Sequence, residues 1–336
     1  MEKVISIIIP TYNMEKYLRK CLDSLIVSSE NMKRLEVLVI NDGSKDSSSL
    51  IAHEYESRFP NTFKVIDKEN GNYGSCVNRG LKEATGKYVK VLDADDYFNT
   101  AAFEEYISLL INIDADLIIT DFTKVDAEYH EVERVTYRNK YENNSFFGIE
   151  KLVQKQETLV QMHAITYKTS MLQKMNYRQT EGISYTDQEW VLYPIEAVNK
   201  IIYLSINLYQ YLVGREGQTM DKSIRAKSFG AEIIIFKRLL EHYNNLNKSL
   251  YYNYVTKSIK DRIRMIYETV LFGGVDYDIM AFDEYLKENC KYAWVEEIAS
   301  YRFKYKTVKE LRKYKSIERL KRSIKYKLML LYTSLR

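Results

Sequence analysis

Three carboxylates fall within four positions at Asp93-Ala-Asp95-Asp96, directly after the apolar run Tyr88-Val-Lys-Val-Leu92. Alternation and β-branched content predict a buried strand over Tyr88 to Leu92. Like charges this close repel and are costly to bury, so the strand gains no stability by ending in them. A hard divalent metal with oxygen ligands, itself holding a phosphorylated substrate, would compensate them. The plainer reading is an acidic turn in which Asp95 or Asp96 caps the next helix.

The segments upstream read as strand, loop and helix, repeated. Val4 to Ile9 is a strand stopped by Pro10-Thr11-Tyr12-Asn13, and a helical stripe follows through Tyr17, Leu18, Cys21, Leu22, Leu25 and Ile26. Leu35 to Ile40 is a second strand, ending in Asn41-Asp42-Gly43-Ser44 before a helix over Leu50 to Arg58. Phe63 to Ile66 is a third, followed by Asn70-Gly71-Asn72-Tyr73-Gly74-Ser75 and a helix to Ala84. Alternating βα units argue for a parallel sheet, whose ligands sit outside the carboxyl ends of the strands. Each of these loops falls at such an end.

The segments SIIIPTYN (6–13), VLVINDGSKDSS (37–48), ENGNYGSCVNRG (69–80), ATGKYVKVLDADD (84–96) and YTDQEW (185–190) resemble, in order and register, those of the family-2 glycosyltransferases. The resemblance implies an α/β chain with the GT-A nucleotide-diphosphosugar transferase fold, a Rossmann-like, mainly parallel sheet. It is carried by residues 1–122 and little beyond 220. The expected organisation is therefore a catalytic domain over 1–220 and a helical region over 221–336.

The family pattern assigns Thr11 and Tyr12 to the nucleoside pocket, with Asp42 accepting from a base imide N–H. A carboxylate suits a ring edge that bears a donor. Asn-Asp-Gly-Ser also favours a turn by itself. Gly71, Gly74 and Asn78 lie where the family's chain approaches the nucleotide, and glycines allow such an approach. Val77 departs from the family, which often has arginine there; Arg79 is turned by about 100° on the helix. Asp93 and Asp95 form a DxD pair whose side chains share one side of an extended segment. The resemblance makes Asp95 the ligand of Mn²⁺ or Mg²⁺, with Asp93 on the ribose, the donor sugar or the metal. The metal's role is to stabilise charge on the departing diphosphate. After a strand at Lys200 to Leu204, residues Tyr209 to Thr219 resemble the tyrosine-rich loop that closes many catalytic domains of the family, and Arg215 in it is either a diphosphate clamp or surface.

Asp187 matches the family's catalytic base, with Glu189 as runner-up because Thr186 replaces the usual glutamate. Thr186 and Glu189 also spell a capping box. One base acting opposite the nucleotide gives inversion, and no second carboxylate acid is needed. His163, before the predicted strand Ala164 to Tyr167, reads as structural.

The 336 residues include three widely spaced cysteines (Cys21, Cys76, Cys290), which form neither a disulfide framework nor a zinc cluster and fit a reducing compartment. No apolar run approaches the ~18 residues that span a bilayer. Residues 302–336 carry thirteen Lys or Arg against two Glu, a net +11 in a chain of net +4, so the body is acidic. Apolar residues recur there every three or four positions. That pattern fits a peripheral contact with an anionic membrane, or a helix packed on the body or on a second copy in a homodimer. No nucleic-acid motif accompanies the charge.

These readings lead to an inverting transferase. It moves a sugar from a nucleotide sugar, a UDP-sugar by expectation, to a saccharide or lipid-linked acceptor at the cytoplasmic face of a cell envelope. A nucleotidyltransferase is disfavoured because no Gly-rich activating loop follows the first strand. The competing class is a non-catalytic nucleotide-sugar-binding or scaffold subunit, which the departures at Val77 and Thr186 favour.

Overall fold

In the computed structural model the described residues are 2–154, 159–215, 228–246, 252–272, 275 and 277–290. Ten strands form one sheet: β1 (Ile5–Thr11), β2 (Leu35–Asn41), β3 (Phe63–Asp67), β4 (Tyr88–Val91), β5 (Tyr97–Phe98), β6 (Leu117–Val125), β7 (Glu131–Val135), β8 (Ser145–Gly148), β9 (Ile165–Lys168) and β10 (Lys200–Leu212). Their order is β3-β2-β1-β4-β9-β6-β10-β5, with β7 on β6 and β8 on β10. The β3-β2-β1-β4 run is parallel throughout. β9 then enters antiparallel to both β4 and β6, while β6 and β10 are parallel. The unbroken parallel run thus ends where the regular βα alternation of the sequence ends.

The parallel strands are near-continuous apolar runs because helices cover them. Ile5, Ile7, Ile8, Ile9, Val37, Leu38, Val39 and Ile40 are all fully buried. The helix Asn72–Glu83 lies so close to β1 that a Cβ on Gly80 would come within 2.5 Å of Ile8. The predicted helix over 17–26 is shorter, Leu18–Asp23.

β10 corrects the expected loop at Tyr209 to Tyr211. The strand runs on to Leu212, bulging near Asn207, because these residues pair with β6 on one side and β5 on the other. Two compact units divide the chain, residues 1–258 and 259–336. The first includes the helix Phe229–Asn245, whose stripe Ile233, Phe236, Leu239 and Leu240 is buried as its spacing predicts. In the second, Ile259, Ile263, Ile266 and Val270 are buried along the helix Tyr252–Phe272. The basic stretch 302–336 lies outside the described residues, as do 216–227.

Candidate active site

Thr11, Asn41, Asp67 and Leu92 stand at the carboxyl edge of the four parallel strands. Thr11 is buried, with its hydroxyl turned back to the Ile9 carbonyl at 3.1 Å, and its own carbonyl accepts from the Asp42 N–H at 2.8 Å. Tyr12 is 46% exposed at the rim. Asp42 is buried, and its Oδ1 accepts from the Lys68 ammonium and from the Gly71 N–H, the latter at 2.9 Å. Lys68 also donates to Ser75 Oγ at 2.9 Å and to the Glu69 carbonyl at 2.6 Å, so its three protons are used. Both of these contacts to the Asp42 carboxylate fall on Oδ1. Lys68 is absent from the sequence reading. Its position one residue past β3, on the edge where the other loops end, was the available signal.

Gly71 and Gly74 are required by packing. A Cβ on Gly71 would lie 2.6 Å from Ser75 Oγ, and one on Gly74 would lie 2.0 Å from the Thr180 carbonyl oxygen. Asn78 serves the same junction. Its amide donates to the Gln179 carbonyl at 2.9 Å and to Glu181 at 2.8 Å, and its oxygen accepts from the Gln179 N–H at 2.8 Å. The helix is thereby tied to the segment that leads to Asp187. Val77 is core, and Arg79 pairs with Glu83 at 3.1 Å, so neither supplies the cation that the family often has here.

The three carboxylates behave differently. Asp93 accepts from the Tyr73 hydroxyl at 2.9 Å, and its carboxyl is pushed up to about 7 by burial, by Asp95 and by Asp187. Asp96 is buried against the Tyr209 hydroxyl at 2.6 Å and the Leu212 N–H at 2.8 Å. Burial and its two acidic neighbours push it up as well. Asp95 pairs with Arg215, Nε to Oδ2 2.5 Å. The Tyr209 hydroxyl also accepts from the Asp93 N–H at 3.1 Å, so one tyrosine braces the turn that carries all three acids. Buried carboxylates raised in this way are short of positive charge, and that fits a cation.

Asp187 is the first residue of the helix Asp187–Leu192, half-buried, with the Gln188 amide on its Oδ2 at 3.0 Å. Its charge acts on Asp93, Tyr73 and Tyr211 and raises all three. Glu189 faces elsewhere. Fully buried, it accepts from the Thr180 N–H at 2.6 Å, the Thr180 hydroxyl at 2.8 Å and Tyr193 at 3.3 Å, and pairs with Arg238 at 3.3 Å. The expected capping box is not made: Thr186 donates to the Gln179 side chain at 3.1 Å and caps nothing through its side chain.

His163 lies just ahead of a strand, as its sequence position predicts, but the structure brings it beside the carboxylates, where a purely structural reading did not place it. It sits in a single helical turn, Met162–Ala164, ahead of β9. Its ring stacks on Tyr211 at 4.2 Å and meets Tyr209 at 4.9 Å and Phe122 at 5.1 Å. One ligand atom each of Asp93, Asp96 and His163 lie within 4.8 Å of one another. Burial, with Lys90 and Lys124 nearby, lowers the imidazole to about 3, so it is neutral.

A sheet of this order, with acids gathered at the carboxyl ends of its strands, has the GT-A architecture. The profile described as Glycosyl transferase family 2 matches residues 6–175, and the chain belongs to that family. It is 26% identical over 237 residues to the minor teichoic acid biosynthesis protein GgaB of Bacillus subtilis (strain 168), a stretch covering 70% of this chain but only 26% of GgaB. The fold is similar to that of S. aureus TarS 1-349 in complex with UDP-GlcNAc, with a TM-score of 0.58 and 22% identity over 79% of this chain and 74% of that one. It is also similar to mannosyltransferase PcManGT from Pyrobaculum calidifontis in complex with GDP-Man and Mn²⁺, with a TM-score of 0.55 and 13% identity over 92% of this chain and 84% of that one.

Proposed function

We propose that this glycosyltransferase moves a sugar from a UDP-sugar to a hydroxyl of a saccharide or lipid-linked acceptor, with inversion, in the synthesis of a cell-surface polymer. The observation that carries the reading is the cluster of Asp93, Asp95 and Asp96 just past the end of β4, with Asp187, at the head of its helix, acting on Asp93. Asp42 Oδ2 would accept the ring N–H of the base, with Tyr12 at the rim and Thr11 behind it. Asp95 and Asp93 would hold Mn²⁺ or Mg²⁺, whose chemistry is to neutralise the leaving diphosphate. Arg215 would pass from Asp95 to that diphosphate as a charge-assisted donor. The acceptor oxygen attacks the anomeric carbon, the bond from that carbon to the diphosphate oxygen breaks, and the hydroxyl proton goes to Asp187. The UDP-GlcNAc complex of TarS supports a UDP donor, and the name of GgaB supports a wall polymer. A peripheral membrane contact through 302–336 and a homodimer belong to the same reading. Among the described residues no helix is long and apolar enough to cross a membrane.

The test is release of UDP from a panel of UDP-sugars with Mn²⁺, with and without saccharide acceptors, and the anomeric configuration of the product by NMR. Donor binding without any release of UDP, hydrolytic or acceptor-dependent, would establish the scaffold reading instead.

A further inference from the structure

We propose that His163 is a metal ligand, and that with one carboxylate oxygen each from Asp93 and Asp96 it forms a cation site. The proposal rests on the reading above for the presence of a cation and deepens it by naming a nitrogen donor. Three observations carry it. First, the ligand atoms of these three residues converge within 4.8 Å of one another, whereas Asp95 is held by Arg215. Second, His163 is 8% exposed and its buried Nδ1 has no hydrogen-bond partner among the described residues, although buried polar atoms are almost always satisfied. Third, the ring is held in place from several sides. Phe122, Tyr209 and Tyr211 pack on it, and the buried Lys90 ammonium fixes its backbone by donating to the His163 and Ile165 carbonyls at 2.7 and 3.0 Å. An oriented neutral imidazole beside two carboxylates is a ligand set, and the partners of Asp96 among the described residues, Tyr209 and Leu212, are neutral.

The donor set also selects the ion. Mg²⁺ prefers an all-oxygen shell, while imidazole favours first-row transition ions. His163 would therefore make the site prefer Mn²⁺ to Mg²⁺.

The full chain is titrated with Mn²⁺ alone and examined by electron spin-echo envelope modulation. The expected result is a nitrogen modulation that changes when the histidines carry ¹⁵N, a measurement that needs no substitution. The modulation should vanish in His163→Gln and in His163→Asn, and these variants should lose preference for Mn²⁺ over Mg²⁺. It should persist in His130→Gln; His130 gathers with Asp126 and Glu128 on an exposed turn and is the control. Mn²⁺ binding without nitrogen modulation would overturn the assignment and leave metal-dependent transfer standing, as would modulation lost only in His130→Gln. If Mn²⁺ does not bind with or without UDP, both fall.

Discussion

Arg215 lays its guanidinium between Asp95 and Tyr17, with Nε 2.5 Å from the carboxylate and the ring centroid 5.2 Å away. The acid expected to meet the donor's metal is thus held by the cation expected to meet the donor's diphosphate. Asp95→Ala should abolish Mn²⁺-dependent binding of the donor, whereas Arg215→Ala should weaken the donor and tighten Mn²⁺ measured alone. Calorimetry with each ligand separately checks both. Unchanged donor affinity in Asp95→Ala would remove Asp95 from the site.

Asp187 and Glu189 are two residues apart but do different work. Asp187→Asn keeps the shape and removes the basic oxygen, so donor Kd should hold while transfer falls by roughly 10²–10⁴. Glu189→Gln should lower the melting temperature, since its carboxylate satisfies Thr180, Tyr193 and Arg238. Normal turnover by Asp187→Asn with none by a folded Glu189→Gln would assign the base to Glu189.

Gly74→Ala should cost about 1–3 kcal/mol through overpacking, because the added methyl would meet the Thr180 carbonyl. Thr180 is also tied to Glu189, so the strain would spread toward Asp187 and slow transfer more than it weakens nucleotide binding. Denaturant titration and the split of kcat from KM read the two effects.

His53 bridges Glu56 and Asp67, each at 2.8 Å, and both carboxylates raise its pKa. A histidine raised on folding contributes stability that is complete below its unfolded value of about 6.5 and is lost as pH rises through the folded value. His53→Gln should therefore lower the melting temperature at pH 5.5 and converge on the wild type in alkaline buffer. The ring is 44% exposed, so the effect is small and screened by salt. An equal deficit at every pH would show that packing, not charge, is responsible.

Residues 302–336 should bind anionic vesicles with a salt-sensitive affinity, each basic residue near the surface adding about 1 kcal/mol. Their removal should release the protein from vesicles and spare transfer to a soluble acceptor. Equal sedimentation of both chains would exclude the membrane contact. A lower melting temperature or a dissociated dimer would show that the segment packs on protein.

The parallel half of the fold was legible because its cues are local: apolar strands, turn residues at their ends, helical stripes between. The carboxylate cluster was legible for the same reason, lying in one tetrapeptide. What surrounds the cluster was not. Asp96 takes its donors from Tyr209 and Leu212, His163 arrives on the turn that leads into a strand inserted antiparallel between β4 and β6, and Lys68 acts on Asp42 across two strand ends. Such pairings are set by sheet order, which no local period encodes. The misread loop at Tyr209 to Tyr211 has the same origin, since only its partners β5 and β6 make it a strand.

The braces of the carboxylate turn have a consequence for how the protein is made. Tyr209, Leu212 and Arg215 leave the ribosome long after Asp93, Asp95 and Asp96, 113 to 120 positions apart by the contacts they form. At roughly 5–20 residues per second, the acids wait several seconds without those partners. The nascent parallel half alone therefore cannot present a finished donor site, and binding of nucleotide sugar should begin only once synthesis has passed Arg215.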